Sequence, residues 1–263
     1  MAGLHLVSPW KLSAAVSEAA LEESTDTETS ILARYTGATE LQAKTLRGAQ
    51  MEVDIDARLV KLQKQGRMRA LRAISQLGQI TYRALGFSGD NTVKQEVIAR
   101  YLAAEAEGRA DGSVTINSKN YKFKLKGQMD WYGRRVDIVQ LTPRRKTVGL
   151  FKGELWVDSE TGMPVREAGE FVKTPSVFLK KVAFVRDYEL LDGVSIPKHI
   201  ESTVDTRIVG RAELQINFSH VTLEPEAADQ MIPVANASQT VLQPLAPGID
   251  HGQTVSAPGL AGQ

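Results

Sequence analysis

The chain has 263 residues, 42% hydrophobic and 24% charged, with 32 Lys and Arg against 31 Asp and Glu. That is a globular composition with room for a large core, and the near-zero balance gives no global bias towards nucleic acid. Cysteine is absent, which excludes disulfides, thiol catalysis, thiolate metal sites and a lipid-modified N-terminal cysteine.

Residues 1–26 read as a flexible N-terminal segment. MAGLHLVSPWKLSAAVSEAA lacks a basic n-region and a continuous apolar h-region, so as written it is not a signal peptide. Ser13 to Ala20 nevertheless has the small-residue character of a cleavage region. A start assigned too far downstream would explain both, and a basic-then-apolar extension in the upstream reading frame would show it. With such an extension the protein is expected in the periplasm or cell envelope; as the sequence stands, in the cytoplasm. No run approaches the ~18 apolar residues of a membrane helix.

Ile31, Leu32 and Tyr35 share one helical face and predict a short amphipathic helix within Thr27 to Leu41, capped by Thr27 or Thr29 and ended by Gly37. From Thr45 the period becomes two: Met51, Val53, Ile55, Ala57 and Leu59 alternate with polar residues, a strand with one apolar face. After a loop at Lys61 to Gly66, Met68 to Phe87 reads as strand, although its first half could also be helical. Gly86 to Asn91 reads as a turn. Val93, Val97, Ile98, Tyr101 and Leu102 then define an amphipathic helix over Thr92 to Glu107, with Asp90 or Asn91 as N-cap and Gly108 as stop.

Short strands are expected at Ser113 to Asn117, Asn120 to Lys126, Arg134 to Leu141 and Thr147 to Leu150. Phe151 to Val157 and Met163 to Val172 form a hairpin about the Asp158–Gly162 turn, the centre of the chain. Strands at Phe178 to Leu190, Val194 to Thr206 and Arg211 to Leu223 complete the run, with turns at Leu191–Gly193 and near Gly210. Short connections without crossover helices make this an antiparallel meander. From Pro225 onwards there is no Lys or Arg, and Pro, Ala, Gly, Gln and Ser accumulate. Residues 225–263 therefore read as a disordered tail, and residues 27–224 as a single domain with a helical insertion near 91–108.

Little in the sequence suggests catalysis. His199, Glu201 and Asp205 share a strand face and are the only cluster that a hydrolase reading could use; a polar solvent face, which alternation predicts anyway, is the better account of them. Ser8 to Lys11 matches S-x-x-K without that class's other motifs, and phosphate-loop, dinucleotide and zinc-protease motifs are absent. Glu52, Asp54 and Asp56 fit a solvated strand edge better than a carboxylate pair. Between Lys119 and Lys152, ten bases face two acids, a local excess of eight positive charges. Such a stretch suits anionic head groups, an acidic partner or phosphates, although a soluble face balanced by acidic neighbours elsewhere accounts for it more simply. Nucleic acid is disfavoured, because the aromatics alternate inward, away from the lysines.

The hairpin and the strands after it resemble the LolA/LolB-like superfamily of bacterial lipoprotein carriers and outer-membrane lipoprotein-sorting proteins. The residues concerned are Gly153–Asp158, Thr161–Val165 and Asp192–Glu201, and the likeness covers about Thr27 to Leu223. It implies a mainly β (α+β) fold, an antiparallel half-open β-barrel covered by helices, whose apolar concavity shelters acyl chains. The chain departs from the pattern in its Lys61–Gly112 segment, which looks like an insertion or a larger lid, and in lacking the expected signal peptide. A curved sheet with one apolar face must cover it, and a residual cleft is then a ligand site. Its candidate lining is Met51, Val53, Ile55, Phe123, Leu125, Leu155, Val157, Phe184, Ile216 and Phe218. Val93, Val97, Ile98, Tyr101 and Leu102 are candidate lid residues; if their helix fills the cleft, all of these are ordinary core. The expected function is non-enzymatic binding of a lipid or acylated protein by a monomer, without metal or cofactor. The alternative is an envelope scaffolding module that holds no small molecule.

Overall fold

The computed structural model describes residues 9–107 and 113–223, with side chains from residue 27 onwards. Ten strands run in chain order: β1 Gln50–Leu59, β2 Lys64–Ile74, β3 Ile80–Gly89, β4 Tyr121–Trp131, β5 Arg134–Pro143, β6 Phe151–Asp158, β7 Pro164–Phe171, β8 Leu179–Leu191, β9 Val194–Thr206 and β10 Arg211–Thr222. All described pairings are antiparallel, in the order β3-β2-β1-β10-β9-β8-β7-β6-β5-β4. The sheet is an open half-barrel, with β3 and β4 as its two edges.

These edges are consecutive in the chain, so the connection between them crosses the mouth of the half-barrel. It carries α2 Asn91–Val93, a π-helical stretch Lys94–Ala99 and α3 Arg100–Glu107. Asp90 caps this run, its carboxylate accepting from the Thr92 N–H at 2.7 Å. Val93 and Ile98 are wholly buried against Met51, Val53, Ile55, Leu214 and Ile216. The other cover is α1, Pro9–Thr45, whose Ile31 and Tyr35 pack on Tyr121, Val139, Leu155 and Val157.

Helix α1 is longer than expected at both ends. It begins inside the segment read as flexible and passes through Gly37, where a Cβ would meet nothing within 4 Å. Glycine costs about 1 kcal/mol in a helix, less than docking Ile31, Tyr35 and Leu46 returns. Strand β3 continues through Gly86 to Gly89, so the expected turn begins later, at Asp90. Ser113 to Asn117 forms no strand: the Asn117 side chain accepts from the N–H groups of Lys119 and Asn120 at 3.0 Å and folds the segment into a turn. Thr147 to Leu150 is likewise a turn, closed by the Leu150 N–H on the Thr147 carbonyl. The expected Gly108 stop and the tail of 225–263 lie outside the described residues.

The central hairpin has the expected place and turn. Asp158 Oδ1 accepts from the Thr161 N–H and hydroxyl, both at 2.8 Å, and from the Glu160 N–H at 3.2 Å. Gly162 (φ +76°) rests on α1, where an added Cβ would come within 2.8 Å of the Arg34 backbone. Burial of Asp158 opposes ionisation, but the bonds from Thr161, Arg134 and Glu160 outweigh it and hold the carboxyl below its ordinary value. A depressed folded-state pKa gives stability that is present above the unfolded value of about 3.9 and lost as pH falls through the folded value. Asp158→Ala is expected to cost about 2 kcal/mol at neutral pH, with the gap from wild type closing in urea melts below about pH 4. Equal midpoints at pH 7 would mean that Gly162 on α1 holds the turn unaided.

Candidate ligand-binding face

The helix-covered inner face falls into two apolar halves. Under α2 and α3 lie Met51, Val53, Ile55, Ile216 and Phe218. Under α1 lie Phe123, Leu125, Leu155, Val157 and Phe184. The ten expected lining residues therefore all face a helix, five beneath each cover. Of the lid residues, Val93 and Ile98 are buried, while Val97, Tyr101 and Leu102 are half-buried at the margin of the same cluster.

Between the halves runs a polar seam. Arg72 sits directly opposite Met51 on the apolar side of β2 and is only 1% exposed. Its guanidinium donates to the Tyr82 hydroxyl and to Glu105 of α3, each at 3.2 Å, and the Tyr82 hydroxyl donates to Glu105 at 2.5 Å. Tyr101, hydrogen-bonded to Glu105, continues the seam towards Arg186. Arg186 donates to Glu167, its cross-strand neighbour, at 3.3 Å and lies over the Phe184 ring at 4.6 Å. Tyr35 of α1 reaches the same place, sensing Glu167, Tyr188 and Arg186. Tyrosines from both helices thus converge on one arginine.

The electrostatics arise from this enclosure. Burial first, then Glu105, raises the Tyr82 and Tyr101 phenols far beyond their ordinary value; burial and Glu167 do the same to Tyr35. All three are neutral donors at any physiological pH. Burial by itself would lower the Arg186 pKa, yet Tyr188, Glu167, Tyr101 and Glu105 more than reverse it, and the guanidinium stays charged. With 35% of its side-chain surface accessible, Arg186 keeps contact with solvent beside Phe184 of the α1-covered half.

Alternation along the strands holds the signal for this seam. Arg72 follows Met68 and Ala70 at apolar parity, and Arg186 follows Val182 and Phe184. A charge in an apolar register needs a buried partner, which the lining of apolar residues expected from sequence did not include.

The remaining candidates lie elsewhere. His199 Nδ1 is 2.7 Å from Asn217 Oδ1 and Nε2 is 3.2 Å from Glu201, on the outer face. Asp205 instead takes Arg211 at 3.0 Å, so the structure does not assemble the three acid–base residues. Asp56 accepts two bonds from Arg67 at 2.8 Å and Glu52 one from Arg69 at 2.9 Å, cross-strand pairs on the outer face. A recess of about 630 Å³ opens at the hairpin tips, lined by residues including Arg134, Arg135, Asp158 and Glu160, away from the inner face.

Fold and site together define a half-open antiparallel barrel with a two-part apolar interior, a polar seam and two helical covers. No family model matches the chain, and no curated protein matches it. Among solved structures it is similar to a LolA superfamily protein of Nitrosomonas europaea, at 15% identity over 75% of this chain and 93% of that one, with a TM-score of 0.35. A DUF1329 family protein of Desulfovibrio piger gives 13% identity, 80% and 98% coverage and a TM-score of 0.35. A domain of Vibrio parahaemolyticus described as an outer membrane lipoprotein-sorting protein gives 12% identity, 71% and 90% coverage and a TM-score of 0.32. These likenesses are slight, and the half-barrel rests on the strand order itself.

Proposed function

We propose that the chain is a non-enzymatic binding protein that holds a lipid, or the acyl chain of a lipid-modified partner, against the inner face. The observation that carries this reading is Arg186, which pairs with the buried Glu167 and lies over the Phe184 ring on the inner face while 35% of its side chain stays accessible to solvent. An acyl chain replaces water against the apolar halves at about 0.8 kcal/mol per buried CH₂. Its polar end meets Arg186, Tyr188 and Tyr101, which offer fixed donors in a low-dielectric setting. The seam carries Arg72 and Arg186 against Glu105 and Glu167, a neutral balance that suits a polar or zwitterionic group as well as an anion. The cell envelope is the proposed location, supported by the carrier-like turn residues of Gly153–Asp158 and Asp192–Glu201; fractionation of cells expressing the full reading frame tests it.

Native mass spectrometry of purified protein, followed by organic extraction, tests the binding. The expected result is a co-purifying acyl species, depleted in the double variant Arg186→Met with Glu167→Leu, which strands neither charge, while the strand signal in circular dichroism holds. A clean apo mass together with a captured protein partner would replace this reading with the scaffolding one.

A further inference from the structure

We propose that the outer face along edge strand β4 is a docking surface for an anionic lipid bilayer, independent of any ligand on the inner face. The first observation is charge without compensation. On β2 the outer bases are paired across to β1, Arg67 with Asp56 and Arg69 with Glu52. Lys122, Lys124 and Lys126 of β4 are exposed, and among the described residues no carboxylate lies within ion-pair distance of them. Lysines on an edge strand also guard against edge-to-edge pairing, so they do not decide the matter alone.

The aromatics at the other end of the same strand do. The β4–β5 turn places Tyr132 at φ +50°, 90% exposed, ahead of Gly133 at +76°. Two-residue hairpins of this kind favour Asn, Asp or Gly at the first position, and a bulky aromatic there is costly. Within the fold the Tyr132 ring meets Trp131 edge-on at 4.9 Å and still stays 90% exposed, so an interface that takes up an amphipathic ring would recover more of that cost than the fold does. Next to it Trp131 meets Trp156 edge-on at 4.9 Å, with the Arg166 guanidinium 5.7 and 5.5 Å from the two rings. Guarding an edge requires no tryptophan on the outer face. Arg135, exposed in the recess between the hairpin tips, adds a cation there and shares the recess with Asp158 and Glu160.

Basic residues held beside Trp and Tyr are the combination that an anionic bilayer surface recognises, the cations for the head groups and the rings for the interfacial zone. An acidic protein would satisfy the lysines but gives no reason for an exposed tyrosine at a strained position. Strand β4 has eleven residues, about 35 Å at ~3.3 Å per residue. It also forms one rim of the half-barrel, so side-on docking brings the mouth of the cleft to the membrane.

Sedimentation of the full chain with phosphatidylcholine vesicles, with and without phosphatidylglycerol, tests the proposal. Wild type should pellet with the phosphatidylglycerol vesicles, not with the neutral ones, and detach as salt rises. Changing Lys122, Lys124 and Lys126 together to Gln should weaken binding about a hundredfold, at about 1 kcal/mol per lysine. Tyr132→Ala, with its melting temperature compared against wild type, should weaken it further. In a Trp10→Phe background, tryptophan emission should shift to the blue on adding anionic vesicles. Failure of wild type to pellet, or pelleting unchanged by the lysine substitutions, overturns the proposal. So does binding of soluble polyglutamate, abolished by the same substitutions, while vesicles leave the emission unmoved; the strip then belongs to an acidic protein.

Discussion

Glu105→Ala is expected to destabilise the domain by about 3–5 kcal/mol, the cost of stranding one member of a buried ion pair. Arg72, 2% exposed at its side chain, would keep only the Tyr82 hydroxyl and the Met51 sulfur as polar neighbours. The loss falls where α3 meets β2, so this variant also asks whether the helical cover is a lid. If α2 and α3 move as a unit, Glu105→Ala should raise binding of an apolar dye while far-UV circular dichroism keeps its strand signal. Cooperative loss of the whole strand signal at a lowered midpoint, without dye uptake beforehand, would make the cover a permanent core layer. A control separates charge from packing: Arg72→Met with Glu105→Leu should recover most of the stability, because an apolar pair in place of a buried ionic one is close to neutral or stabilising.

The second large effect concerns two glycines. Gly153 of β6 and Gly169 of β7 stand directly opposite each other on the inner face. A Cβ on Gly153 would lie 2.0 Å from the Ala168 carbonyl oxygen; one on Gly169 would lie 2.5 Å from the Phe151 ring and 2.7 Å from the Lys152 carbonyl oxygen. Backbone cannot step aside as a flexible side chain can, so Gly153→Ala should cost about 3 kcal/mol and lower the melting temperature by roughly 10 °C, measured calorimetrically. Gly37→Ala is the matched control: with open space around it in α1, it should be neutral or stabilising by up to about 1 kcal/mol. If both variants melt together, the close approach of β6 and β7 does not constrain the sheet.

Much of the sheet could be read from the chain because a half-buried strand writes its period into the sequence. Met51 to Leu59 alternates without a break, and Asp158 with Gly162 places the central turn to the residue. Helix α1 was legible only where Ile31, Leu32 and Tyr35 share a face. Its earlier turns carry the acidic run from Glu18 to Glu28 and no matching apolar stripe, so periodicity did not reveal them. Val114 and Ile116 mimic a strand, but Asn117 offers the backbone a competing set of bonds and turns it. The apolar inner face was legible one residue at a time, whereas the seam was not. Arg72, Glu105, Glu167 and Arg186 come from β2, α3, β7 and β8, and only the sheet order brings them into reach.

That order also has a kinetic side. Every neighbour from β4 to β10 is adjacent in sequence, and so is every neighbour from β1 to β3. Each set can zip by short-range hairpin closure, the cheap kind of contact. One ladder remains, β1 on β10, joining Leu59 to Ala212 and Gln50 to Thr222, and its loop-closure entropy is the largest in the molecule. The slow step of folding is therefore the merging of a three-stranded and a seven-stranded sheet. The last groups to be enclosed are those that span the junction, Met51, Ile55 and Ile216, so the floor beneath α2 is completed only when the chain is otherwise folded.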